Sequence, residues 1–209
     1  MNTEGKDIIG HYNISGYTDW NKVLFSDEST FQQFSNPRFV WRSRGERIFY
    51  SRVKHPGKIH IWGCFSANGF GKLKLFTKNL NAILLIKIYQ QGLLPSVSNL
   101  FGSDNNDWIL QEDNDPKHTS NMAKNWKYEH SINILSWPSN SPDLNPIENI
   151  WGIMKVKIME YNSKNLKGLT KSILSIWKNF DQDLARNLVD SMPNRIQMVI
   201  QAKGDYIGY

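Results

Sequence analysis

Trp108-Ile-Leu-Gln-Glu-Asp-Asn-Asp-Pro-Lys-His-Thr-Ser120 and, further on, Trp137-Pro-Ser-Asn-Ser-Pro-Asp-Leu-Asn-Pro-Ile-Glu-Asn-Ile-Trp151 decide how the middle of this chain folds. Trp108–Leu110 is a short apolar run that reads as a strand, ending at Gln111, Glu112 and Asp113. Asp115 before Pro116 reads as an N-cap followed by the first helical residue, because the carboxylate accepts from free first-turn amides and proline has no amide to lose there. That helix is expected to reach about Glu129, with Ile132–Leu135 as the next strand. Pro138, Pro142 and Pro146 exclude regular structure between Trp137 and Pro146 and predict an ordered loop. A helix then opens at Asn145-Pro146, and Ile147, Ile150, Trp151, Met154 and Ile158 recur at the spacing of one buried face.

Working outward toward the N-terminus, Val23–Phe25 is an apolar run ending at Asp27, and Thr30–Phe34 continues the sheet. Phe39–Trp41 and Ile48–Tyr50 flank Arg42, Arg44 and Arg47 around Gly45, which reads as a basic hairpin. Ile59–Phe65 is a strand by its β-branched and aromatic content, followed by a turn at Asn68–Gly71 and a strand at Leu73–Phe76. Ala82–Leu94 reads as a buried helix stopped by Pro95. Toward the C-terminus, one amphipathic helix carries Leu169, Ile173, Ile176, Trp177 and Phe180, and another carries Leu184, Leu188 and Met192 before Pro193. Residues 1–16 show no periodicity and read as an irregular N-terminal segment. Strands come first, then strand and helix alternate, then helices follow. The order predicts an α/β domain with a mixed sheet and helices packed on it.

Asp27 and Asp113 follow short strands, where side chains leave the core while staying on a rigid frame. Glu148 lies in the first turn of a helix behind the proline-stiffened loop. Hard oxygen ligands, few in number and with open positions between them, are what two-Mg²⁺ phosphoryl transfer requires. The same residues have structural readings. Asn145, Pro146 and Glu148 make a capping arrangement, and Asp27 and Asp113 suit turns. Glu28, Glu112 and Asp115 compete as ligands, with Asp115 better explained as a cap. Residue chemistry alone thus reaches a carboxylate metal site in a basic α/β domain, with its members open.

With 209 residues, 40% hydrophobic and 21% charged, the chain has the composition of a single globular domain rather than a disordered tail. Its formal charge of +6 favours a polyanionic partner. The most apolar run, Ala82–Ile88, is interrupted by Lys87 and falls far short of the ~20 residues of a membrane span. Met1–Gly10 is polar and charged and does not read as a signal peptide. One cysteine, Cys64, excludes an internal disulfide, and its apolar neighbours predict burial rather than reactivity. The eight Trp are expected to fill the core before they stack on bases.

Val23-Leu-Phe-Ser-Asp27-Glu-Ser29, Val40-Trp-Arg42, Trp62-Gly-Cys-Phe65, the two stretches around Asp113 and Glu148, and Ser191-Met-Pro-Asn-Arg-Ile-Gln197 together resemble the Tc1-like branch of the Tc1/mariner transposases, from about Tyr17 onward. That family carries an Asp, Asp, Glu triad with 34 residues between the last two, and Asp113 and Glu148 here match that spacing (148 − 113 − 1 = 34). The resemblance implies a ribonuclease-H-like fold, with 17–209 as the catalytic domain and Asp27, Asp113 and Glu148 as both catalytic and metal-binding residues. It implies two Mg²⁺ or Mn²⁺ ions per site, hydrolytic cleavage of double-stranded DNA at element ends, and attack of the freed 3′-hydroxyl on target DNA at TA dinucleotides. Nuclear localisation is expected on the family alone.

Asn114 and His118 are expected to support the ligands, and Gly152, one turn past Glu148, suggests a close backbone approach. Arg42, Arg44, Arg47, Arg52, Lys54 and Lys58, interleaved with aromatics, are expected to contact DNA phosphates. In related mariner enzymes this region is a clamp that grips the partner subunit. Between Glu46 and Val53 it is shorter here, which weighs against a clamped homodimer. Nothing before Tyr17 resembles the family's helix-turn-helix modules, so the expectation is a truncated protein, an isolated domain or a decayed copy. The competing functions are a non-enzymatic DNA-binding or assembly module and another metal nuclease on the same fold. Electrostatics adds one expectation. Carboxylates ~4 Å apart repel by roughly 4 kcal/mol at an effective dielectric of 20, so without a cation the site should hold a proton or splay.

Overall fold

The computed structural model describes residues 18–33, 57–103, 106–137, 141–161, 163, 165–205 and 207–208. Its sheet is built on β1 (Val23–Gln32), which pairs antiparallel with β2 (Lys58–Ser66) along one edge and parallel with β5 (Ile109–Gln111) along the other. β3 (Gly69–Phe70) and β4 (Lys74–Phe76) both pair antiparallel with β2. Gly69 sits at φ +122° as the first residue of β3, just after the β2–β3 turn, a conformation that an L side chain strains to reach. The mixed sheet is therefore the expected one. Beyond β5, Ile132–Leu135 contributes only a parallel bridge, Leu110 to Ile134, rather than a full strand.

Period-two alternation sends neighbouring residues of β1 into different cores. Val23 and Phe25 join one apolar cluster, Leu24 the other. The first cluster packs under α5 (Ile147–Glu160), α6 (Leu166–Lys178), α7 (Gln182–Asp190) and α8 (Met192–Gln201). The second holds Trp62, Cys64, Tyr89, Leu110 and Trp126 against α1 (Ala82–Ile88) and α4 (Asn121–Glu129). All five residues of the stripe on α5 are buried, which contributes roughly 1.5–3 kcal/mol for each large side chain. Cys64 is fully buried, and burial pushes its thiol up to about 12, so it is an inert core residue as expected. None of the described helices is long and apolar enough to cross a membrane.

Four sequence expectations change. Pro95 does not stop the first helix. A π-helical turn at Tyr89–Leu93 intervenes, and α2 (Leu94–Phe101) starts with Pro95 in its first turn, where no amide is needed. The helix after Asp115 is two helices, α3 (Pro116–Thr119) and α4, because Ser120 is extended and its hydroxyl caps Ala123 N at 3.2 Å. In α7 the buried positions are Ala185 and Val189, with Leu184 and Leu188 only half-buried, and the chain resumes as α8 with Pro193 in its first turn. A Cβ on Gly152 would meet nothing within 4 Å, so no backbone approaches there.

Candidate active site

Asp27 lies inside β1 rather than after it, because antiparallel pairing with β2 carries the strand on to Gln32. The parallel pairing with β5, in contrast, ends at Phe25 opposite Gln111. Asp27 and Asp113 each stand two residues beyond that pair, Asp27 still within β1 and Asp113 past the end of β5. Glu148, on the first turn of α5, comes near enough to Asp27 for its charge to bear on that carboxyl. One turn later Trp151 donates its indole N–H to Asp27 Oδ2 at 3.0 Å, tying that helix to β1.

The start of α5 is held from outside. Asn145 Oδ1 accepts weakly from Ile147 N at 3.4 Å, and the helix begins at Ile147 rather than at Pro146. Arg195, 2% exposed, bridges the turn at 142–144 and the helix by donating to Asp143 O at 3.0 Å and to Asn149 Oδ1 at 2.9 Å. That explains why the Ser191–Gln197 segment belongs with the site although it lies far along the chain.

Burial, then the charges of Glu28 and Glu148, raise the Asp27 carboxyl from 3.8 to about 7, despite hydrogen bonds from the Glu28 backbone and Trp151 that pull it down. Glu148 is solvent-exposed at a cleft wall, yet the surrounding protein still raises its carboxyl, with Lys155 opposing. Negative charge is therefore crowded here and only partly neutralised, and one of the carboxyls holds a proton near neutral pH. Burial contributes most to the Asp27 shift, and repulsion from Glu28 and Glu148 adds to it. The donor set of exposed and half-buried carboxylate oxygens suits a hard divalent cation.

Glu148 and Asp113 line different clefts. Glu148, Glu28, Asp115, Lys117 and Lys155 line a cleft of about 500 Å³. Asp113, Asn114 and His118 line another of about 360 Å³. Asp27 lines neither. Among the described residues no three carboxylate, imidazole or thiolate side chains stand close enough to hold an ion together as they are placed. Asp113 is turned toward α3, where its Oδ1 accepts from Asp115 N at 3.1 Å and lies 3.3 Å from His118 Nε2.

His118 is neither solvated nor a cap. It is 2% exposed and lies in a charged network that sequence reading did not find. Its Nδ1 is 2.9 Å from Tyr89 Oη and 3.2 Å from Glu112 Oε2, and its Nε2 is 3.4 Å from Glu28 Oε1. Tyr89 Oη also donates to Glu112, and Lys127 Nζ donates to Glu112 and, at 3.1 Å, to His118 O. Burial alone would lower the His118 pKa, but Glu112 and Glu28 outweigh it and lift it to about 9. Burial alone would raise Glu112, but His118 and Lys127 hold it below the usual carboxylate range. Glu28 also pairs with Lys117 at 3.2 Å, and Lys117 with Asp115 at 2.8 Å. Glu28, Glu112 and Asp115 thus have basic partners of their own, whereas the described partners of Asp27 are an indole and backbone. The only sequence signal for the network was the run of charges between Glu112 and His118, since Tyr89 and Lys127 look like ordinary helix residues.

Asn114 Nδ2 donates to Trp137 O at 2.9 Å, so it fastens the proline-rich loop rather than touching a carboxylate. Asp115 caps α3, as expected, by accepting from Lys117 N at 3.0 Å. Of the expected DNA contacts, Lys58 is exposed at the start of β2. Arg42, Arg44, Arg47, Arg52 and Lys54, with the basic hairpin and the clamp region, lie outside the described residues.

Comparison with known proteins supplies a second line of evidence. The DDE superfamily endonuclease model matches residues 22–170. The Tcb1 transposase of Caenorhabditis briggsae is 33% identical over 196 residues, covering 90% of this chain and 71% of the relative. The Tc3 transposase of Caenorhabditis elegans is 34% identical over 201 residues, covering 92% of this chain and 59% of the relative. Among solved structures, the catalytic domain of Mos1 mariner transposase superposes with a TM-score of 0.79 at 15% identity, covering 100% of this chain and 98% of that one. The Mos1 paired-end complex with Mg gives a TM-score of 0.84 at 15% identity, and there this chain spans only 64% of its counterpart. At such identity the Mos1 likeness shows the fold alone, and that fold is the ribonuclease-H-like one expected.

Proposed function

This chain belongs to the DDE superfamily endonucleases as a transposase catalytic domain of the Tc1/mariner type, and from that premise we propose that Asp27, Asp113 and Glu148 are the metal-binding carboxylates with which it cuts and joins DNA. The observation that supports the assignment is the approach of α5 to β1, where Trp151 bonds Asp27 and the Glu148 charge bears on it, with Asp113 two residues past the end of neighbouring β5. Mos1 structures obtained with Mg and with Mn support divalent ions as the cofactor, and two ions per site is the finer reading. Bound by the three carboxylates, such ions would neutralise phosphate charge and lower the pKa of an attacking water or 3′-hydroxyl.

The protein's own groups position and neutralise. Lys117 and Lys155 line the cleft beside Glu148 and attract the phosphate backbone. Lys117 and His118 also neutralise Glu28, so its charge does not repel the substrate. No side chain here is required as a covalent nucleophile. The Mos1 complex with a transposon end supports DNA as the substrate. In this reading it is double-stranded DNA, cut at element ends and joined at TA dinucleotides, and the nucleus is the place of action that the family suggests. One observation favours a second reading, a DNA-binding or assembly module whose chemistry is no longer used: among the described residues no three carboxylate, imidazole or thiolate side chains stand close enough to hold an ion together.

A single assay separates the two readings. Purified protein is given nicked and intact element-end DNA with Mg²⁺ or Mn²⁺, and cleavage and strand transfer are followed. Asp27→Ala, Asp113→Ala and Glu148→Ala should each lower cleavage by more than about 100-fold, beyond what loss of a supporting partner costs. Cleavage unaffected by Asp27→Ala rejects the assignment, and no cleavage by the unsubstituted chain favours the module.

A further inference from the structure

We infer that Trp151 is a positioning residue for Asp27: its indole N–H holds one oxygen of that carboxylate, so the helix that brings Glu148 to the site also sets the orientation of the carboxylate facing it. The inference rests on the metal-site reading above and adds to it a residue with no ionisable group.

The bond is Trp151 Nε1 to Asp27 Oδ2 at 3.0 Å, made by a side chain with no exposed surface. Three neighbouring features show that the arrangement is built rather than incidental. Gly63 lies opposite Asp27 in the β1–β2 register, and a Cβ there would fall 2.8 Å from Trp151 Cη2 and 2.9 Å from Trp177 Cη2. The missing side chain on β2 is therefore the space through which the indole lies against the sheet beside Asp27. Trp177 stacks on Trp151 with centroids 5.6 Å apart and an interplanar angle of 27°, and its own N–H is fastened to Gly71 O at 2.9 Å. The stack fixes the plane of the Trp151 ring and hence the direction of its N–H. Glu148 and Trp151 are three residues apart on α5, so they rise from the same side of the helix.

A buried indole does not by itself require such a bond in this fold. Among the described residues, the Trp62 and Trp126 N–H groups are buried with no hydrogen-bond partner. The Trp151 N–H instead meets the Asp27 carboxylate at 3.0 Å. A carboxylate with one oxygen held this way is restricted in rotation and presents Oδ1 as the oxygen that the indole leaves open. Hydrogen bonds of this kind, made behind a metal ligand, are worth about 10–100-fold in metal affinity.

The test measures Mn²⁺ binding to the DNA-free protein by electron paramagnetic resonance of the free ion, alongside thermal unfolding without metal. Trp151→Phe keeps a ring in the stack and removes the N–H. It should weaken Mn²⁺ binding by about 10-fold or more. Trp108→Phe, at a buried tryptophan stacked on Phe101 in the other core cluster, should lower the melting temperature while leaving Mn²⁺ affinity unchanged. If Asp27→Ala weakens binding but Trp151→Phe does not, the positioning role is overturned and the metal site stands. If Asp27→Ala binds Mn²⁺ as well as the unsubstituted chain, the metal-site reading falls and the inference with it. Should Trp151→Phe fail to fold, the Trp151 indole proton resonance decides: it should move upfield in Asp27→Ala, and an unchanged shift overturns the inference.

Discussion

Replacing Asp27 by asparagine should make the chain more stable at alkaline pH and leave it nearly unchanged in acid. The carboxyl titrates at about 7 in the folded protein against 3.8 ordinarily. Below pH 3.8 it is neutral in both states and costs nothing. As pH rises from there to about 7 the unfolded chain ionises first, so folding loses stability, and above about 7 the loss is level. The full difference corresponds to about 4 kcal/mol. Relaxation and water entry around a half-buried group reduce this, so the gain expected for Asp27→Asn at pH 8.5, over that at pH 4.5, is about 2 kcal/mol. For a chain of this size that is about 4–8 °C in melting temperature. The assay is thermal unfolding by circular dichroism of both proteins at both pH values, with and without Mg²⁺. Asparagine can still accept from the Trp151 N–H, so the packing change is small. In the site reading, Mg²⁺ offsets the same charge and should raise the melting temperature of the unsubstituted chain at pH 8.5 but not that of the variant. An asparagine variant that gains no more at pH 8.5 than at pH 4.5 would refute the claim that crowded charge destabilises this site.

The buried pair beneath Asp113 should show strong non-additivity. Glu112→Gln alone leaves Lys127 without its counter-charge and should cost about 3–5 kcal/mol in urea unfolding, whereas Glu112→Gln with Lys127→Met should recover most of that; equal losses in both would show that the pair is not coupled. His118, raised from 6.5 to about 9, contributes stability that is fully present below pH 6.5 and is lost as pH rises through about 9, at most about 3 kcal/mol. His118→Gln should therefore lose more stability at pH 6 than at pH 10, and a pH-independent loss would mean that the imidazole is not charged in the fold.

The sequence by itself determined the pieces that depend on local periodicity and on spacing. The stripe on α5, the strand at Ile59–Phe65, the cap at Asp115 and the burial of Cys64 follow from which residues recur at which interval, and the structure has them as read. The resemblance carried by the segments around Asp27, Asp113 and Glu148 supplied the fold and the family. Local signals failed where a distant partner decides. Pro95 reads as a stop, but a wide turn ahead of it lets the helix continue. Asp27 reads as a strand end, but β2 lengthens the strand past it. Only the tertiary structure could show that Tyr89, Glu112, His118 and Lys127 form one charged network, or that a glycine on β2 makes room for an indole that reaches Asp27. The physical reason is that burial and neighbouring charge depend on three-dimensional packing, and they set the protonation of Asp27 and His118, which neither residue's sequence neighbours could reveal.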